Sequence, residues 1–295
     1  MSLQEKFRGT GIAIVTPFDE DGTVDWNSFR RLINYWIDGG VEYLVVLGTT
    51  GESPTVHGEE KQKVFSFVAD ASTGRIPLVA GIGGNDTREV LHGLRSFDLK
   101  GYEAILSVAP AYSKPNQEGI FQHYKQLDAN TPLPIIMYNV PSRTGQNVTA
   151  DTQVRIAHEC KNIFGTKEAS GDFAQIMQII KNKPKEFMVI SGDDLITLPM
   201  IACGAAGLIS VVANAYPKEY AEMVRLCLAG RFNEALSIHY KYSEIIPSMF
   251  AEGSPGGVKA YLSEMGLCHN AVRSPVWPVS EKHLIKIKQL MKTVE

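Results

Sequence analysis

The chain has 295 residues, 44% hydrophobic and 21% charged, and its 29 basic against 32 acidic side chains leave a formal charge of −3. Those values are ordinary for a folded globular protein and exclude a disordered chain, a collagen-like fibre and a coiled-coil rod. The acidic balance also argues against nucleic acid as a main partner, because duplex-binding domains carry a basic surplus.

Residues 1–8 contain no apolar run of signal-peptide type, and no uninterrupted apolar stretch approaches the ~18 residues of a membrane span. Cys160, Cys203, Cys227 and Cys268 are scattered without a C-x-x-C pair and are read as reduced thiols of a cytoplasmic protein. The first β-branched run, 11–15, is followed by a segment of helical period over 24–38. There Phe29, Leu32, Ile33, Trp36 and Ile37 share one face, and Gly39-Gly40 ends the element. Further runs at 43–47, 77–82, 104–108, 134–138, 163–167, 187–191 and 207–212 alternate with helical segments at 59–71, 87–99, 117–130, 150–160, 173–181, 195–203 and 217–229. The runs are short and nearly continuous, as in parallel strands buried on both faces. Eight such units predict a (β/α)8 TIM barrel over residues 1–230. The competing doubly wound sheet would carry a Gly-rich phosphate fingerprint in its first turn, where this chain has Thr16-Pro17-Phe18-Asp19. After residue 230 the β-branched runs stop. Helices are predicted at 234–246, 256–265 and 280–291, with Pro247, Pro255, Pro275 and Pro278 in the connections between them. Residues 231–295 are read as a C-terminal helical appendage docked on the barrel.

Barrel chemistry belongs at the C-terminal ends of the strands. Those ends hold Thr16, Gly48-Thr49-Thr50-Gly51-Glu52, residues 81–85, Pro110-Ala111-Tyr112, Tyr138, Arg143, Lys167-Glu168, Gly192-Asp193-Asp194 and residues 210–214. Lys167 stands out. Set in an apolar strand, its amine would be desolvated and its pKa lowered, which suits a nucleophile that condenses with a ketone. The bland alternatives are a lysine reaching solvent or one paired with Glu168. Tyr138, on the preceding strand, could give and take the protons of carbinolamine chemistry, with Thr49 and Tyr112 passing them on. The Gly48–Gly51 turn offers N–H groups and hydroxyls to a small carboxylate, unless it is turn chemistry alone. Arg143 offers a planar fork to a second carboxylate, unless it is a solvated loop charge. The histidines show no H-E-x-x-H spacing, and His57-Gly58-Glu59 lacks the P-C-x-x-C that zinc deaminases require. Asp193 and Asp194 precede a helical segment and are read as its caps. No metal is expected.

Four segments together carry a resemblance. Gly48-Thr49-Thr50-Gly51-Glu52, Tyr138-Asn139-Val140-Pro141-Ser142-Arg143-Thr144-Gly145, Gly165-Thr166-Lys167-Glu168-Ala169 and Ser191-Gly192-Asp193-Asp194 resemble the signatures of a pyruvate-dependent class I aldolase family. That family includes the dihydrodipicolinate synthases and N-acetylneuraminate lyase, and the likeness runs from about Gly9 through the helical tail. It implies that Lys167 forms a Schiff base with pyruvate, so that the covalent imine replaces any cofactor. Tyr138 would be the proton donor and acceptor, with Thr49 and Tyr112 completing the relay. Tyr112 would come from the neighbouring subunit of a tight dimer within a homotetramer. Thr50 and the backbone around Ile209 would hold pyruvate, and Gly192 would line the pocket. The enamine would add to aspartate semialdehyde to give 4-hydroxy-tetrahydrodipicolinate, in lysine and diaminopimelate biosynthesis. The same chemistry could serve an N-acetylneuraminate lyase or keto-deoxy sugar acid aldolase. Against that, the sialic acid lyases typically have Ala-Leu where this chain has Ser142-Arg143, and an arginine suits an acceptor carrying a carboxylate. Lysine-inhibited members carry histidines where this chain has Gly58 and Lys61, and an aromatic where it has Ala111; Asn85 and Glu89 match. The expectation is weakened or absent lysine feedback. In the tail, Gly253-Ser254-Pro255-Gly256 departs from a more Pro-rich turn, with a minor loss of contact expected.

Overall fold

The protein is described by a computed structural model that covers residues 1–294. Among these, eight parallel strands close into a barrel in chain order: β1 (Gly9–Ala13), β2 (Tyr43–Val46), β3 (Leu78–Gly81), β4 (Ala104–Val108), β5 (Ile135–Asn139), β6 (Ile163–Glu168), β7 (Met188–Ser191) and β8 (Gly207–Ser210). The expected (β/α)8 architecture is present. β1 starts earlier than its apolar run because Gly9 and Thr10 pair with Gly207 and Leu208 of β8, a closure that local composition does not encode.

Side chains alternate between two cores. In β2, Tyr43 and Val45 join the cluster inside the barrel, while Leu44 and Val46 pack under the helices. Tyr43 fits inside because Gly11 on β1 has no side chain; a Cβ there would stand 2.1 Å from the Tyr43 ring. Phe7, just ahead of β1, packs edge-on against Tyr43 at 5.2 Å and against Phe164 at 5.5 Å, filling the N-terminal end. Below the site the barrel is therefore solid.

One irregularity aims the chemistry. The β5–β6 ladder shifts register, with Ile135 opposite Ile163 but Ile136 opposite Gly165. Strict alternation from the inward Phe164 would point Thr166 and Glu168 inward and Lys167 outward. The extra residue reverses that parity, so Lys167 faces the barrel mouth and Glu168 faces the helices.

The outer helices follow the expected order with trimmed ends. The first barrel helix, Trp26–Asp38, starts later than predicted because Asp25 caps it, accepting from the Ser28 N–H. The predicted helix at 234–246 divides into Phe232–Tyr242 and Ile245–Ser248. Pro247 lacks an N–H, so it is accommodated in the first turn of a new helix rather than within a longer one. The tail lies over the C-terminal mouth, where Ile246, Phe250, Gly253 and Ser254 help to line the cavity. Among the described residues, no helix is long and apolar enough to cross a membrane.

Candidate active site

A cavity of about 480 Å³ opens at the C-terminal ends of the strands, lined by Thr49, Thr50, Tyr138, Arg143, Lys167 and Gly192 among others. Six of the eight residues singled out from the sequence thus converge on one space. Lys167 is 4% exposed and is paired across the ladder with Tyr138, whose ring centroid lies 4.4 Å from its Nζ. Burial pulls the Lys167 amine down to about 8; the Asp194 carboxylate opposes this and the Arg143 guanidinium adds to it. The same burial pushes the Tyr138 phenol up to about 12, while Arg143 and the Thr49 hydroxyl favour its phenolate.

The pairing of Lys167 with Glu168, raised from the sequence, does not occur. Glu168 is fully buried on the opposite face of β6, where its carboxylate accepts from the Asn139 amide at 3.0 and 3.1 Å, the Gln153 amide at 2.5 Å and the Ser170 N–H at 2.7 Å. It fastens the end of β6 to the helix Ala150–Glu159 through Gln153, and thereby holds the strand from which Lys167 projects. Gly192 clears the path of that lysine. A Cβ at Gly192 would stand 2.8 Å from Ala169 Cβ and 3.0 Å from Lys167 Cε.

The Gly48–Gly51 turn has the form of an anion cradle. Its closing bonds use the N–H groups of Gly51 and Glu52, which donate to Gly48 and Thr49 carbonyls at 3.1 Å. Among the described residues the N–H groups of Thr49 and Thr50 meet no acceptor, so both remain for a small carboxylate. Leu47 and Glu52, which flank the turn, both adopt left-handed conformations with φ of 55° and 54°. Non-glycine residues rarely do so unless their surroundings hold them there.

Two expected residues stand apart. Tyr112 is 92% exposed with φ of 66°, and its phenol does not join Thr49 and Tyr138 within this chain. Ile209 belongs to the inner cluster with Met188 and Ile190, and Val211 takes its place in the lining. The capping role read for Asp193 and Asp194 is corrected. The following helix, Thr197–Ala202, begins further on, behind Ile196 and without a side-chain cap. Asp193 instead holds its own turn through the Leu195 N–H at 2.9 Å. Asp194 is buried and accepts from the Ser210 hydroxyl and the Val211 N–H, tying β7 to β8; burial pushes its carboxyl up to about 6. Adjacent Asp pairs ahead of a helix look like caps in one dimension, and only barrel closure brings Ser210 and Val211 to Asp194.

A second cavity of about 500 Å³ shares Thr49, Tyr138 and Arg143 and extends to Lys61, Asn85 and Ala111. Glu89, expected beside them, is exposed and does not line it. The tail residues Gly253 and Ser254 line the main cavity, so the departure there bears on the site more directly than the sequence reading implied.

Comparison with known proteins places relatives beside this geometry. The model of the dihydrodipicolinate synthetase family matches residues 6–294. The 4-hydroxy-tetrahydrodipicolinate synthase of Flavobacterium psychrophilum is 50% identical over 277 residues, covering 94% of each chain. The crystal structure of dihydrodipicolinate synthase from Thermotoga maritima superposes with a TM-score of 0.95 at 40% identity, covering 98% of this chain and 99% of that one. A structure described as the first monomeric dihydrodipicolinate synthase variant is similar to the same degree, with a TM-score of 0.95, 40% identity and coverage of 99% and 98%.

Proposed function

The chain belongs to the dihydrodipicolinate synthetase family, and from that membership we infer that it condenses pyruvate with L-aspartate 4-semialdehyde to 4-hydroxy-tetrahydrodipicolinate. It is an aldolase-type lyase of lysine and diaminopimelate biosynthesis. The observation that carries the mechanism is the desolvated amine of Lys167 at the cavity, paired with Tyr138.

The neutral fraction of Lys167 attacks C2 of pyruvate, and the C2 oxygen takes a proton by way of the Tyr138 phenol. Loss of that oxygen as water leaves the imine on Nζ, with no other cofactor required. A low amine pKa raises the fraction of nucleophile available near neutral pH. Thr49, beside Tyr138, passes protons onward, and the free N–H groups of Thr49 and Thr50 hold the pyruvate carboxylate. Removal of a proton from C3 gives the enamine. Its carbon forms the new C–C bond with the aldehyde of the semialdehyde, whose oxygen becomes a hydroxyl. The substrate's own amine then attacks the imine carbon, the ring closes and the Lys167 amine leaves. One water is released overall, which balances the two substrates against the product.

Arg143 lines the cavity and supplies the fork for the semialdehyde carboxylate. A sugar acceptor has no such need, and the relatives' names favour the synthase over a sugar acid aldolase. The strained, exposed Tyr112 supports an assembly in which that phenol enters a neighbouring subunit's site, within a cytoplasmic homotetramer built as a dimer of dimers.

Borohydride reduction in the presence of pyruvate, followed by peptide mass mapping, tests the mechanism. A reduced pyruvyl adduct confined to the peptide bearing Lys167 is expected. No adduct, or one on another lysine, overturns it.

A further inference from the structure

The appended helices and the anion cradle meet at a buried charge cluster that the reaction as described does not use. Glu52, the residue directly after the Gly48–Gly51 turn, is 2% exposed, and Lys259 of the helix Gly256–Glu264 is 0% exposed. Lys259 Nζ donates to Glu52 Oε1 at 2.5 Å and to the Ala271 carbonyl at 2.8 Å. The second carboxylate oxygen of Glu52 accepts the Arg273 N–H at 2.9 Å. Phe18, from the β1 loop, is gripped between two cations, with Lys259 Nζ 4.1 Å and Arg273 Cζ 4.2 Å from its ring centroid. The Arg273 guanidinium adds a fork to Glu60 at 2.6 and 2.7 Å and a bond to the Thr55 carbonyl at 2.9 Å. Both carboxylate oxygens of Glu52 are thus held by the tail.

The backbone of Glu52 belongs to the turn itself. Its N–H closes the turn onto the Thr49 carbonyl, and its φ of 54° sets the direction in which the turn leaves. The side chain leaves this left-handed residue towards the tail, where Lys259 Nζ and the Arg273 backbone N–H receive it. A buried carboxylate without a partner would instead turn towards water and take the backbone with it.

We propose that Lys259, through its buried pairing with Glu52, is a positioning residue for the carboxylate cradle of Thr49 and Thr50, so that the helical tail sets how well the keto acid is held. The tail acts at a distance: Lys259 touches neither substrate, and its effect reaches them through the backbone of residue 52. The proposal rests on the assignment of Thr49 and Thr50 to pyruvate.

The test uses the full chain with Glu52→Gln, Lys259→Met and the double variant. Removing one partner strands a buried charge, whereas removing both leaves no charge unpaired, so the double variant recovers most of the stability that the single variants lose. If the pair only stabilises the fold, the double variant also recovers wild-type kinetics. If it positions the cradle, the double variant melts near wild type yet keeps a KM for pyruvate raised about tenfold, with the KM for aspartate semialdehyde unchanged. Trapping of the imine by borohydride at subsaturating pyruvate falls in parallel. Should Lys259→Met fail to fold, Glu52→Gln and the double variant still decide the matter. A folded double variant with wild-type pyruvate KM overturns the proposal, as does an equal rise in both KM values. If wild type itself yields no pyruvyl adduct on Lys167, the catalytic assignment falls instead, which separates the two failures.

Discussion

Replacing Lys167 by Met should abolish turnover and, at neutral pH, make the protein more stable. The ordinary lysine pKa is 10.5, and burial lowers that of Lys167 to about 8. Each unit is worth about 1.4 kcal/mol, so the folded state carries a penalty of about 3 kcal/mol for this ammonium wherever both states are protonated. The sign follows from proton binding. Below pH 8 folded and unfolded chains both hold the proton and the penalty is complete; between pH 8 and 10.5 the unfolded chain holds more, so stability rises with pH; beyond 10.5 the penalty is gone. Met keeps the unbranched stem against Tyr138 but has no proton to lose. Thermal or urea unfolding of both proteins, at one protein concentration, should show the variant ahead by about 3 kcal/mol at pH 6.5 and by roughly half that at pH 9.5. Every other titrating group is shared, so the change in the gap reports Lys167 together with its coupling to Asp194. A gap that does not change between the two pH values, or that widens upward, refutes the reasoning.

Other expectations are direct. Gly192→Ala would set a methyl 3.0 Å from Lys167 Cε and 2.8 Å from Ala169 Cβ, and should lower kcat/KM for pyruvate by about 100-fold in steady-state assays and cost about 1–3 kcal/mol of stability through overpacking. Arg143→Ala should raise the KM for aspartate semialdehyde by roughly 10- to 100-fold, the worth of a charge-assisted bond, with the KM for pyruvate little altered. Added L-lysine should leave activity unaffected at millimolar concentration. Lys61, whose pKa is lowered by burial, faces the second cavity, where a basic ligand would add a further charge. Sedimentation velocity should show a tetramer, and Tyr112→Ala should lower kcat without dissociating it; a fully active monomer would remove the role given to Tyr112.

The barrel was legible because buried parallel strands leave near-continuous β-branched runs, and eight of them between amphipathic segments admit few architectures. What escaped was long-range or short of side chains. β1 opens on Gly9-Thr10-Gly11, which looks like a loop until β8 supplies its ladder. Pro247 was visible as a breaker, yet sequence could not show that the chain would restart a helix around it. The register shift between β5 and β6 was equally hidden. Gly165 alone hints at a bulge, but it does not say that one forms, and without the extra residue the parity of the strand would have directed Lys167 towards the helices.

The site was legible where chemistry selects unusual residues and hidden where geometry recruits ordinary ones. A lysine in an apolar strand and a run of small hydroxyl residues at a strand end invite attention, because each is costly or idle without a task. Glu168, Asp194 and Glu52 carry no such mark: each resembles a surface acid until the fold buries it. Their partners lie 15 residues away at Gln153, 16 at Ser210 and 207 at Lys259. All three nonetheless govern the reacting groups, by fixing the strand that presents Lys167, by opposing the fall of its pKa, and by setting the turn that carries Thr49 and Thr50. Two of the three are met by neutral donors, which hold a carboxylate in place without setting a second cation beside the lysine. The exception is Glu52, whose cation comes from the tail, so the interface between tail and barrel is where structural and catalytic demands become one.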